Sequence, residues 1–149
     1  MTAERRPLAI IYRANREHVL WPVVELALAA RSRAFDSIRS FCEEALPAEL
    51  DLTVAVYGSV ARRESTLESD LDLFLVYPDG IDEDARADFS YQIASHAQRV
   101  TGNEAQVYSV ERAELAHRIA EDDSLVANVL ADGILLFGPP LRPVAGNAA

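Results

Sequence analysis

The chain has 149 residues, 50% of them hydrophobic and 26% charged, with 6 Gly and 7 Pro, enough for one domain with a core and incompatible with collagen-like, low-complexity or wholly disordered chains. Its 24 acids against 14 bases leave a formal charge of −10, and all 14 bases are arginine, which excludes Schiff-base and lysine general-base chemistry. The single cysteine, Cys42, excludes an intrachain disulfide and a multi-thiolate zinc site.

Residues 1–21 combine Pro7, the apolar stretch Leu8 to Ile11 and polar residues, and read as an extended N-terminal arm. This end is basic: residues 1–39 hold seven Arg and four acids, whereas residues 40–149 hold seven Arg and twenty acids. A domain over residues 22–140 is expected to follow. Pro22 suits a first helical turn, and from Val23 to Leu46 no Gly or Pro interrupts. Phe35, Ile38, Cys42 and Ala45 recur at three- and four-residue steps, so one long amphipathic helix is expected, stopped by Pro47.

Leu52 to Tyr57 is a β-branched-rich apolar run closed by Gly58, and Leu71 to Tyr77 is a second, closed by Pro78, Asp79 and Gly80; both read as buried strands. Asp82 is placed to cap a helix running to Val100, with Phe89, Ile93, Ala97 and Val100 on one face and Gly102 as its stop. Glu104 to Val110 alternates weakly, as a third strand would. Short helices are expected over Glu111 to Ala120 and Asp123 to Ala131, then a strand from Ile134 to Phe137 and a disordered tail over residues 141–149. Strands interleaved with helices in this way indicate an α/β or α+β sandwich around a small mixed sheet.

The chemistry concentrates in Gly58 to Asp72, GSVARRESTLESDLD. A Gly-Ser bend at the end of a buried strand lets the backbone approach a ligand closely. Amides at the start of the next turn, the Ser59 hydroxyl and the Arg62 guanidinium then make a phosphate cradle. Ser69 shapes the loop or adds a contact. Asp70 and Asp72, two apart on a strand, face the same side while Leu71 and Leu73 face the other. Paired carboxylates on an apolar strand call for a cation, and hard oxygen ligands suit Mg²⁺ or Mn²⁺.

A Gly-Ser turn, ten intervening residues and then Asp70-Leu71-Asp72 resemble the signature of the DNA polymerase beta-like nucleotidyltransferases, and of their minimal branch in particular. Ala61-Arg62, Ser65 and Ser69 strengthen the resemblance, as does the ending Asp132 to Gly138. The resemblance implies transfer of an NMP, expected to be AMP from ATP, to a hydroxyl on a protein or small molecule, with Mg²⁺ or Mn²⁺ on Asp70 and Asp72. Gly58 and Ser59 would hold the outgoing phosphates, with Arg62 and Ser69 beside them.

Family enzymes add a third carboxylate on the neighbouring strand, where this chain has Gln106; Glu104, two residues earlier, is the candidate to complete the metal site. A glutamine brings neither charge nor a base, so the alternative is a catalytically weak nucleotide-binding or partner-binding module. A domain this small leaves little room for an acceptor pocket, and family members are often partners of small helical toxins. A homodimer or hetero-oligomer is expected through the long helix or the arm. The acidic body lacks the basic stripe that nucleic acid requires. No apolar run reaches the ~18–20 residues of a membrane span, and Glu4, Arg5 and Arg6 stand where a signal core would be, so no membrane contact and a cytoplasmic address are expected.

Overall fold

The structure is a computed structural model and describes residues 2–6, 9–47, 49–66 and 69–141. The expected disordered tail therefore lies almost wholly outside the described residues. The chain divides into two compact units, residues 1–33 and 34–149.

In the first unit, β1 (Thr2–Arg6) pairs antiparallel with β2 (Ala9–Arg13), from Thr2 opposite Arg13 to Arg6 opposite Ala9. The stretch expected as an extended arm thus folds back on itself as a hairpin. TAERR is short and polar, without the β-branched alternation that announces a strand, so local pattern does not reveal it. Helix α1 (Trp21–Ala45) starts here, with Pro22 in its first turn and the Trp21 indole donating to Glu25 at 2.7 Å. Val19, Leu20, Val23, Val24, Leu26 and Leu28 are exposed. The amphipathic pattern expected along all of α1 therefore holds only for its second half.

The second unit is built on a four-stranded sheet in the order β5-β4-β3-β6, where β3 is Thr53–Tyr57, β4 Leu71–Tyr77, β5 Ala105–Glu111 and β6 Ile134–Phe137. β3 runs antiparallel to both β4 and β6, while β4 and β5 are parallel and joined by helix α3 (Glu83–Thr101). This is the mixed sheet expected. Strand alternation divides β4 between two cores. Leu71, Leu73, Leu75 and Tyr77 pack with Val54, Val56 and Leu136 against Phe35, Ile38 and Cys42 of α1 and Ile93 and Ala97 of α3. Phe74 and Val76 pack with Val110 against helices α4 (Arg112–Ala120) and α5 (Ser124–Asp132), through Leu115, Val126 and Val129. Each fully buried aliphatic or aromatic side chain contributes roughly 1.5–3 kcal/mol before conformational entropy is subtracted.

The helix ends follow the residues expected to set them. The Asp82 carboxylate accepts from the Ala85 amide at 3.0 Å, and Gly102 closes α3 at φ +77°. Asp123 accepts from the Val126 amide at 3.0 Å to start α5. Helix α4 has no local side-chain cap; Asp79, in the turn after β4, accepts from the Ala113 amide at 2.8 Å and supplies it from 34 residues away. Among the described residues no helix is long and apolar enough to cross a membrane.

Candidate active site

Strand β3 ends at Tyr57 and the chain bends at Gly58, φ +70°, into the single turn of helix α2 (Gly58–Arg62). A β-carbon at Gly58 would overlap the Asp72 carboxylate oxygen Oδ2. Only glycine permits this bend at this distance from the acid. Tyr57 lies opposite Asp72 in the β3–β4 ladder, and Gln106 lies beside Asp72 in the β4–β5 ladder. Side chains in register share a face, so Tyr57, Asp72 and Gln106 form a row across the sheet on the side covered by α4 and α5. Leu71 and Leu73 are buried on the opposite side, as expected.

Asp70 immediately precedes β4. Its Oδ2 accepts from the Gln106 side-chain amide at 2.9 Å. Burial, and secondarily the negative charge of Asp70, push the Asp72 carboxyl above the usual carboxylate range, against the lowering effect of Arg62. Neither aspartate forms a salt bridge with arginine among the described residues. Arg62 is instead held by Glu64 at 2.9 Å, with Asp132 and Asp72 adding weaker attraction. Two adjacent carboxylates, one of them ionising against its surroundings, with no protein cation closing on them, suit a divalent metal ion.

The loop before Asp70 is fixed by its own residues. The Ser69 hydroxyl accepts from the Thr66 amide at 2.9 Å, and the Asn103 side-chain amide donates to the Ser69 carbonyl at 2.7 Å. Ser69 therefore shapes the loop in this structure. Glu104 is exposed on the turn before β5, where its carbonyl accepts from the Leu71 amide at 2.8 Å. Among the described residues no three His, Cys, Asp or Glu side chains gather as a metal site, so the structure does not bring Glu104 together with Asp70 and Asp72. Gln106 takes the adjoining place, because parallel register sets it level with Asp72 while Glu104 falls short of the strand.

A cavity of about 260 Å³ opens beside the bend, lined by Tyr57, Gly58, Arg62, Ser124, Leu125 and Asn128. The α5 residues were invisible in the sequence as site residues, since no local signal links them to a loop more than 50 residues earlier. Tyr57 was within reach, as the last residue of the strand before the Gly-Ser bend.

A mixed sheet carrying two strand-head aspartates, with a glycine bend pressed on one of them, is consistent with a polymerase beta-like nucleotidyltransferase domain. The chain belongs to the family described as "Putative nucleotidyltransferase DUF294", whose pattern matches residues 11–105. No curated protein matches the chain. It is similar to a chain of a toxin-antitoxin crystal structure with AMP-PNP, at 15% identity over 70% of this chain and 73% of that one with a TM-score of 0.47. A mutant MntA-HpeT toxin-antitoxin gives 15% identity, the same coverages and a TM-score of 0.49. A tri-AMPylated Shewanella oneidensis HEPN toxin in complex with its MNT antitoxin gives 16% identity, 73% coverage of each chain and a TM-score of 0.46.

Proposed function

We propose that the second unit transfers a nucleoside monophosphate from an NTP, ATP in the first instance, to an acceptor hydroxyl and releases pyrophosphate. The observation that carries this reading is the contact of the Gly58 bend with Asp72, which sets a phosphate-approaching backbone beside a carboxylate pair that forms no salt bridge with arginine among the described residues. Gly58 and Ser59 would face the β- and γ-phosphates, with Arg62 free to exchange Glu64 for a phosphate oxygen. Asp70 and Asp72 would hold Mg²⁺ or Mn²⁺, which supplies neutralisation of charge on the phosphoryl group in flight. The acceptor oxygen forms a bond to the α-phosphorus while the bond to the bridging α–β oxygen breaks, and pyrophosphate leaves with that electron pair. Gln106 cannot take the hydroxyl proton, which passes to solvent. What Gln106 does is donate to Asp70 at 2.9 Å, which orients one carboxylate of the pair.

The acceptor is proposed to be a protein hydroxyl. The exposed apolar row from Val19 to Leu28 supports a protein partner or a second copy at the first unit; an antitoxin-like role beside a small helical toxin is one form of this. Because Gln106 replaces an acid, a nucleotide-binding module with little turnover is the second reading. Incubation with ATP radiolabelled on the α-phosphate, Mg²⁺ and panels of protein and small-molecule hydroxyl acceptors tests both. Label transfer with matching pyrophosphate release, absent in the Asp70→Asn, Asp72→Asn double variant, is expected. Metal-dependent ATP binding without release on any acceptor favours the module, and absence of both binding and release contradicts both readings.

A further inference from the structure

Apart from Gly58 and Arg62, the walls of the cavity beside the Gly58 bend are not used by the chemistry described above. Its walls come from three elements: Tyr57 at the end of β3, Gly58 and Arg62 on α2, and Ser124, Leu125 and Asn128 on α5. Residues 124, 125 and 128 share one face of α5 by helical spacing, and Asp132 continues that face to the neighbourhood of Arg62. The helix is anchored at its start, where Asp123 caps the Val126 amide and is itself held by Arg118 at 3.3 Å. The cavity also shares Gly58 with the contact to Asp72, so a ligand whose phosphates lie at the bend has its other end beside α5.

Resting on the nucleotidyl-transfer reading, we infer that this cavity holds the nucleoside of the NTP and that Asn128 selects adenine. Tyr57 and Leu125 offer an aromatic and an apolar wall to a planar base. The Ser124 hydroxyl suits a ribose hydroxyl. A carboxamide presents a donor and an acceptor side by side, which matches the N7 acceptor and amino donor on the major-groove edge of adenine. Guanine shows two acceptors on its major-groove edge and is better met by arginine, and Arg62, which lines the cavity, is assigned above to the phosphates.

Titration calorimetry on the full chain with Mn²⁺ separates the base from the phosphates. The probes are non-hydrolysable ATP and GTP analogues and inorganic tripolyphosphate. The adenine analogue is expected to bind about tenfold tighter than the guanine analogue. In Asn128→Asp, which keeps the size of the side chain and removes its donor, that preference should vanish or invert, while tripolyphosphate affinity stays within about twofold. Asn128→Ala gives the same loss without added charge, and both changes are at an exposed helix position where the fold tolerates them. An unchanged base preference in both variants overturns the assignment alone, as does a tripolyphosphate affinity that falls in parallel. Failure of the unaltered chain to bind either analogue or tripolyphosphate overturns the nucleotidyl-transfer reading and this inference with it.

Discussion

Gly58 carries the most demanding geometry in the candidate site, since it combines φ +70° with a β-carbon position already filled by the Asp72 carboxylate. Gly58→Ala should lower stability by about 1–3 kcal/mol and displace Asp72, so that metal-dependent nucleotide affinity falls more than the fold does. Denaturant unfolding beside calorimetry measures the two; an alanine variant of unchanged stability and affinity contradicts the proximity. Gln106 makes the opposite kind of case. Gln106→Glu restores a third acid level with Asp72 and removes the amide donated to Asp70. The metal-free variant should melt at a lower temperature through like-charge repulsion, yet bind Mn²⁺ about tenfold tighter through its added ligand charge. Unchanged Mn²⁺ affinity would show that Gln106 does not adjoin the ion.

At the scale of elements, α1 and α3 meet at His96. Its ring stacks on Phe41 at 4.4 Å, its Nε2 lies 3.1 Å from the Ser37 hydroxyl, and its Nδ1 lies 2.7 Å from an Arg99 nitrogen. Burial, followed by the charge of Arg99, lowers the His96 pKa from its ordinary value of 6.5. The folded state therefore resists a proton that the unfolded chain accepts, so the stability this histidine contributes is present above pH 6.5 and falls as pH drops through that value. Thermal melts from about pH 7.5 to about pH 5 should show wild type losing ground against His96→Asn. A gap between the two that stays constant with pH contradicts the arrangement.

The elements also show what local pattern encodes. β4 and β6 were legible because apolar runs of strand length end at turn residues, and α3 because its cap and stop lie at its own ends. Hairpin β1–β2 was not legible: β2 has strand composition, but its partner β1, TAERR, lacks it and owes its strand to the pairing. Helical spacing identified the buried second half of α1, where a sheet receives Phe35, Ile38 and Cys42, but periodicity alone did not distinguish that half from the exposed one. In the site, the bend and the two acids are close in sequence and could be read from spacing. The α5 wall of the cavity depends on how a distant helix packs, and no local rule carries that.

For the whole molecule, charge and exposed surface point in different directions. Residues 40–149 carry the excess of acids, and among the described residues the acidic pair at the head of β4 forms no salt bridge with arginine, a charge balance that suits the proposed binding of nucleotide through a divalent cation. The first unit instead offers exposed Val19, Leu20, Val23, Val24, Leu26 and Leu28, the apolar surface on which the proposed protein partner or second copy would dock. Size-exclusion chromatography with light scattering at micromolar concentration should find an assembly larger than the monomer; a monomer that takes up no partner contradicts that role.

In the proposed reaction the Gly58 bend and the Asp70–Asp72 pair must act together, which requires binding of a metal–triphosphate. That requirement is tested most directly by calorimetry of a non-hydrolysable ATP analogue with and without Mn²⁺, on the unaltered chain and on the Asp70→Asn, Asp72→Asn double variant. Binding that requires Mn²⁺ and is lost in a double variant at least as stable as the parent is the predicted result. Equal affinity in the two proteins, or binding indifferent to Mn²⁺, would contradict it.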